Sequence, residues 1–116
     1  MAQKHIVFLF QRPPLGTIGY TEGLRAAVGM IAGVDEHSVE LIYLGDGVYF
    51  ALKGVARGDA VRHLAALAAQ GYRPKVERES LVQRNIPEKD LASDTEVIPR
   101  REVLQSLRRA DATMDF

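Results

Sequence analysis

The residues best placed to do chemistry follow two short apolar runs. After the first come Arg12, Gly16 and Thr17, with Thr21 beyond them. In an open α/β fold such a loop lies at the carboxyl end of the sheet and leads into a helix N-terminus, whose backbone N–H groups attract anions. Arg12, Gly16 and Thr17 are therefore candidates for a ligand-binding mouth, although a plain turn followed by a helix cap uses the same residue types. After the second run stands Gly45-Asp46-Gly47. Asp46 could face the same cleft as Arg12. Equally, it could cap a helix beginning near Val48 while its glycines permit a tight turn.

Other chemistries lack their residues. Neither a glycine-rich loop closing on a lysine nor a strand-to-helix dinucleotide fingerprint occurs, so the two best-founded nucleotide readings fail. His5, His37 and His63 are scattered without ligand spacing; they read as solvated, and no metal is expected. The chain has no cysteine, which removes zinc–thiolate sites, iron–sulfur ligation and persulfide carriage by its own side chains. A response-regulator-type acidic pair would follow the first strand; Gln11 and Arg12 stand there instead. The run Arg73, Lys75, Glu77, Arg78, Glu79 alternates in sign and reads as a strand kept wet by its charges. An enzyme would need an acid–base pair such as Asp46 with Arg12 or Glu77, which the sequence does not announce. The expectation is a non-enzyme with no cofactor.

The elements that must position these residues alternate in type. Ile6 to Phe10 is continuously apolar, as a strand buried on both faces of a parallel sheet would be. Pro13, Pro14 and Gly16 force a loop. Thr21 then caps a helix carrying Leu24, Ala27, Val28 and Ile31 inward, closed by Gly33. Val39 to Leu44 is a second strand and Val48 to Lys53 a short helix. Gly54 and Gly58 bracket a turn. Asp59 caps a helix whose buried stripe is Val61, Leu64, Ala65, Leu67 and Ala68, ended by Gly71. Lys75 to Glu77 is a short strand, Ser80 to Asn85 a helical turn, and Glu96 to Ile98 a strand or loop. Pro99 opens a helix through Arg109 with Val103, Leu104 and Leu107 inward. Ala112 to Phe116 closes the chain as a strand. Strands alternating with helices imply right-handed crossovers and an α/β sheet covered on both faces.

Length and charge bound the partners. A chain of 116 residues fits one domain, 1–116, and at that size about two thirds of the unfolded surface can be buried. Fifteen Lys and Arg balance fifteen Asp and Glu, so no excess charge draws nucleic acid or an anionic membrane. Apolar runs fall short of a membrane span or a secretory signal, which gives a cytoplasmic expectation. One feature exceeds what a monomer needs. Val48, Ala51 and Leu52 share one α-helical face, which leaves Tyr49 and Phe50 as candidate interface anchors or as residues tucked under a loop.

Several segments together resemble a known family. Phe8-Leu9-Phe10, Arg12-Pro13-Pro14, Gly16 and Glu22-Gly23-Leu24 come first, then Leu44-Gly45-Asp46-Gly47-Val48-Tyr49, then Glu79-Ser80-Leu81 with Arg84, and a final strand ending in Phe116. In this order they resemble the DsrE/DsrF/DsrH-like sulfur-relay proteins over essentially the whole chain, and within them the DsrF or TusC branch. The resemblance implies a three-layer α/β/α sandwich around a five-stranded, mainly parallel sheet. It also implies assembly into a homo-oligomer, or a hetero-oligomer with cysteine-bearing DsrE-like paralogues. In the sulfur-carrying branch a persulfide cysteine precedes the short helix after the third or fourth strand. That match places Glu77 or a near neighbour where the thiol would stand, and a carboxylate cannot accept sulfane sulfur. The implied role is a non-catalytic subunit that assembles or regulates a sulfur-relay oligomer. A stand-alone small-ligand or anion-binding module is the alternative.

Overall fold

The computed structural model describes residues 3–14, 18–32 and 37–116. Among these, five strands form one parallel sheet in the order β4-β3-β2-β1-β5, with β1 His5–Phe10, β2 Ser38–Tyr43, β3 Lys75–Glu77, β4 Glu96–Ile98 and β5 Ala112–Asp115. The α/β expectation holds. All four pairings are parallel because a helix or long crossover separates consecutive strands. In chain order the helices are α1 Gly19–Ala32, α2 Ala60–Ala69, α3 Arg78–Gln83 and α4 Arg100–Arg109, and a 3-10 helix spans Gly45–Ala51.

Strand alternation divides the core in two. Ile6, Phe8 and Phe10 of β1, Val39, Leu41 and Tyr43 of β2, and Val76 of β3 meet α1 through Tyr20, Leu24 and Ala27 and α2 through Ala60, Leu64 and Leu67. On the opposite face Val7, Ile42 and Ile98 meet Val103 of α4. Each fully buried Leu, Ile or Phe contributes about 1.5–3 kcal/mol, so the larger cluster dominates stability.

Helix details depart from expectation in instructive ways. The helix expected at Val48–Lys53 is a 3-10 helix beginning at Gly45. Its three-residue period turns Gly47, Val48, Phe50 and Ala51 inward and Asp46 outward, with Tyr49 partly exposed; Leu52, just past the helix, packs against the core as expected, and Phe50 lies inside as well. In α2 only Ala60, Leu64 and Leu67 are buried. Val61 is 58% exposed, and Ala65 and Ala68 are exposed too, because this helix contacts a single layer. Leu104 of α4 likewise faces outward. Asp59 and Pro99 occupy N-cap positions without a side-chain capping bond. The first helix starts at Gly19, ahead of Thr21, and Gly33 lies outside the described residues.

Two glycines fix the turn after β2. Gly45 adopts φ +56°, a left-handed conformation that costs most residues about 1–2 kcal/mol. A Cβ on Gly47 would sit 1.8 Å from the carbonyl oxygen of Phe10, so only glycine lets the 3-10 helix close on the end of β1.

Candidate functional site

The carboxyl ends of β2, β3 and β4 converge on one polar cluster. Glu77 ends β3 and stands at the N-cap position of α3, and it is only 3% exposed. Burying a carboxylate is costly unless it is paired. Arg100, the first residue of α4, supplies the pairing: Nε donates to Oε2 and Nη2 to Oε1, both at 3.1 Å. This is the two-pronged geometry that suits a guanidinium to a carboxylate. Ser80 Oγ donates to Glu77 Oε1 at 2.5 Å and itself accepts the Gly45 N–H at 3.0 Å. The Arg100 backbone N–H donates to Glu79 at 2.8 Å.

A second arginine extends the cluster to the glycine turn. Arg84 donates through Nε and Nη2 to Asp46 Oδ1 at 3.1 and 3.0 Å, and through Nη1 to the Ser80 carbonyl at 3.2 Å. Burial pushes the Glu77 carboxyl up, but the hydrogen bonds from Arg100 and Ser80 and the charges of Arg100 and Arg84 outweigh it. The net shift is below the ordinary carboxylate value. Glu77 is thus held as an anion with both oxygens accepting hydrogen bonds, an arrangement suited to structure and unsuited to proton donation at neutral pH.

A polar group of the same kind lies under α4. Glu40 of β2 accepts from Lys75 Nζ at 3.1 Å and Ser106 Oγ at 2.8 Å, and His5 Nε2 lies 2.6 Å from its other oxygen. His5 Nδ1 is 2.7 Å from Ser38 Oγ. Burial raises the Glu40 pKa while His5, Ser106 and Lys75 lower it, with a net depression. His5 is thus a bonded member of β1, contrary to the solvated reading. The charged run from Arg73 is not simply wet either, since Glu77 is buried, Lys75 serves Glu40, and Arg73 donates to the carbonyls of Ser93 and Asp94.

Of the residues expected at the ligand mouth the structure describes Arg12 and Asp46, and the Gly45–Gly47 turn lies against Phe10 and Gln11 at the end of β1. Arg12 is exposed in the loop after β1, and Gly16 and Thr17 lie outside the described residues. Asp46 pairs through Oδ1 with Arg84 at the C-terminal end of α3, a partner the sequence reading did not name. Asp46 also has no capping role; it lies in the first turn of the 3-10 helix behind the N-cap Leu44. Phe50 is 5% exposed and stacks on Tyr20 at 3.7 Å between ring centroids, which makes it core and not an interface anchor. Tyr49 is partly exposed and lines an apolar cleft of about 380 Å³ with Pro13, Pro14, Leu52 and Val55. Ser80, Arg84 and Arg100 were not singled out for these roles by the sequence. The Glu77-to-Ser80 spacing is a local signal, whereas the two arginine pairings are long-range. No group of three His, Cys, Asp or Glu among the described residues is placed to hold a metal ion.

Comparison with known proteins agrees with this architecture. The profile of the DsrE/DsrF-like family matches residues 4–116. A protein named TusC homolog from Vibrio parahaemolyticus is 24% identical over 97% of this chain and 99% of its own. The crystal structure of the YchN protein from E. coli superposes with a TM-score of 0.81 at 23% identity, covering 99% of this chain and all of that one. A protein of unknown function from Methanobacterium thermoautotrophicum gives 0.70 at 15% identity, over 98% of this chain and all of that one. With 113 of 116 positions spanned by the family profile, and with the parallel five-stranded sheet those residues build, the chain belongs to the DsrE/DsrF-like family.

Proposed function

We propose that this chain is a non-catalytic subunit that assembles or regulates a sulfur-relay oligomer together with cysteine-bearing members of its family. The observation that carries the reading is Glu77. It stands before the short helix after the third strand, the resemblance puts a relay thiol at this residue or a near neighbour, and Arg100 and Ser80 hold Glu77 as a buried carboxylate. A carboxylate has no sulfur to exchange, and a chain without cysteine has no thiolate to attack a persulfide. What the chain offers a partner is surface. Tyr49 and its apolar cleft supply an amphipathic aromatic of the type that anchors interfaces. The sequence relation to a TusC homolog supports the same reading.

Sedimentation of an equimolar mixture with a cysteine-bearing DsrE-like paralogue tests it. A mixed species is expected, and Tyr49→Lys is expected to lower its amount while leaving the thermal melt unchanged. Two components that sediment independently at every concentration would contradict the assignment.

A further inference from the structure

Strand register brings three reactive side chains together at the amino end of the sheet, away from the Glu77 cluster. His5 opens β1 opposite Ser38, which opens β2, and strand alternation places Ser38 and Glu40 on one face. The His5 ring lies between them, with Nδ1 2.7 Å from Ser38 Oγ and Nε2 2.6 Å from Glu40 Oε1. An ionised carboxylate only accepts, so the nitrogen facing Glu40 carries the proton of the neutral ring. Nδ1 is then the acceptor for the Ser38 hydroxyl. Lys75 and Ser106 donate to the other Glu40 oxygen and fix this carboxylate, whose side chain is 10% exposed.

A hydroxyl, an imidazole acceptor and a fixed carboxylate in series are the parts of a nucleophilic triad, which is recognised by geometry and roles and not by chain order. The two ring nitrogens exchange their usual partners here, which the proton transfers permit because either nitrogen can accept or donate. The hydroxyl end is open: Ser38 and His5 are both partly exposed, the His5 side chain at 28%. Backbone donors beside it are engaged, since the Ser38 N–H goes to the Lys4 carbonyl and the His37 N–H to that of Met30. An oxyanion donor is worth about 10²–10³ in rate, so the esters that suit this site are those whose leaving group is already acidic.

We propose that Ser38 is an activated nucleophile that takes acyl groups from esters of phenols and other acidic alcohols, with His5 as its base and Glu40 as the positioning residue. Ser38 Oγ attacks the ester carbonyl carbon as its proton passes to His5 Nδ1. The bond from that carbon to the leaving oxygen breaks, and the proton departs with the phenol, leaving an O-acyl serine. Water that gives its proton to the same nitrogen then hydrolyses the acyl group, releases the carboxylic acid and restores the serine. This chemistry is separate from Glu77 and the Tyr49 cleft and does not rest on the relay reading.

The test mixes the full chain with para-nitrophenyl acetate, follows nitrophenolate release and locates the acetyl group by fragmentation mass spectrometry. A burst is expected, with acetyl on Ser38; the chain has no cysteine to compete for it. Ser38→Ala is expected to abolish the burst. His5→Ala is expected to slow acetylation of Ser38 about a hundredfold, with recovery in added imidazole. Glu40→Gln is expected to slow it in the native chain but to add nothing to His5→Ala, as a residue acting through His5 must. Acetyl found only on lysines or the N-terminus, a burst that survives Ser38→Ala, or additive effects of Glu40→Gln and His5→Ala would overturn the proposal. Thermal melts of each variant separate these outcomes from loss of fold.

Discussion

Arg100 reaches from the first turn of α4 to grip Glu77 with two N–H groups at 3.1 Å each, so the end of β3 and the start of α4 are fastened across the sheet's carboxyl edge. The same carboxylate receives Ser80, and Ser80 receives the backbone of Gly45. One buried anion therefore organises three segments that are far apart in sequence. Removing its partners one at a time should show this.

Arg100→Met leaves Glu77 buried without its counter-charge, and the melting temperature is expected to fall. Glu77→Leu in the same chain removes the orphaned charge and is expected to recover part of the loss. A double-mutant cycle by thermal denaturation checks this, and additive effects would mean that the two side chains do not interact in solution.

Ser80→Ala deletes a donor to Glu77 and the acceptor for the Gly45 N–H together. Leaving buried groups unsatisfied costs about 1–3 kcal/mol, which a urea midpoint at constant m-value would read.

Acid sensitivity follows from two depressed carboxyls, Glu77 and Glu40. A folded-state pKa below the unfolded one contributes stability that is fully present above the unfolded value and is lost as pH falls through the folded value. The melting temperature should therefore be flat on the neutral side of the ordinary carboxylate value of 4.5 and decline below it. Glu40→Gln and Glu77→Gln are each expected to flatten that decline while lowering stability at neutral pH.

The neighbours Tyr49 and Phe50 should behave oppositely. Phe50→Ala removes a ring stacked on Tyr20 in the core and is expected to cost about 3–5 kcal/mol. Tyr49→Ala touches a partly exposed side chain and should leave unfolding nearly unchanged. Urea titration of both variants compares them directly.

Gly47→Ala requires a methyl where the Phe10 carbonyl stands, and backbone there cannot yield as a flexible side chain can. A loss above about 3 kcal/mol, or failure to fold, is expected. Gly29→Ala, on α1 with open space around the added methyl, is the tolerated control.

The strands were legible because apolar runs such as Ile6–Phe10 and Leu41–Tyr43 are set by burial on both faces, which composition records directly. The three-residue strand at Lys75 lies where expected, and Glu96 to Ile98, open between strand and loop in the sequence, is a strand. Phe50 takes the tucked alternative because Gly45 and Gly47 wind the backbone to three residues per turn, where an α-helical wheel counts 3.6. The site was harder to read. Glu77 was marked through the family likeness, but its burial depends on Arg100, and Asp46 depends on Arg84. Such pairings arise only when the sheet brings distant segments to one edge. Charge alternation along Arg73–Glu79 looked like a solvated strand for the same reason, since each partner lies elsewhere in the chain.

The proposed role is service to a sulfur relay by a chain that carries no sulfur itself. Native mass spectrometry of the chain mixed with a persulfide-loaded, cysteine-bearing DsrE-like paralogue tests it most directly. The expected result is a mixed complex in which dissociation into subunits shows the extra sulfur on the paralogue alone. No mixed complex at any ratio, with the paralogue's sulfur transfer unchanged by the chain, would contradict the account.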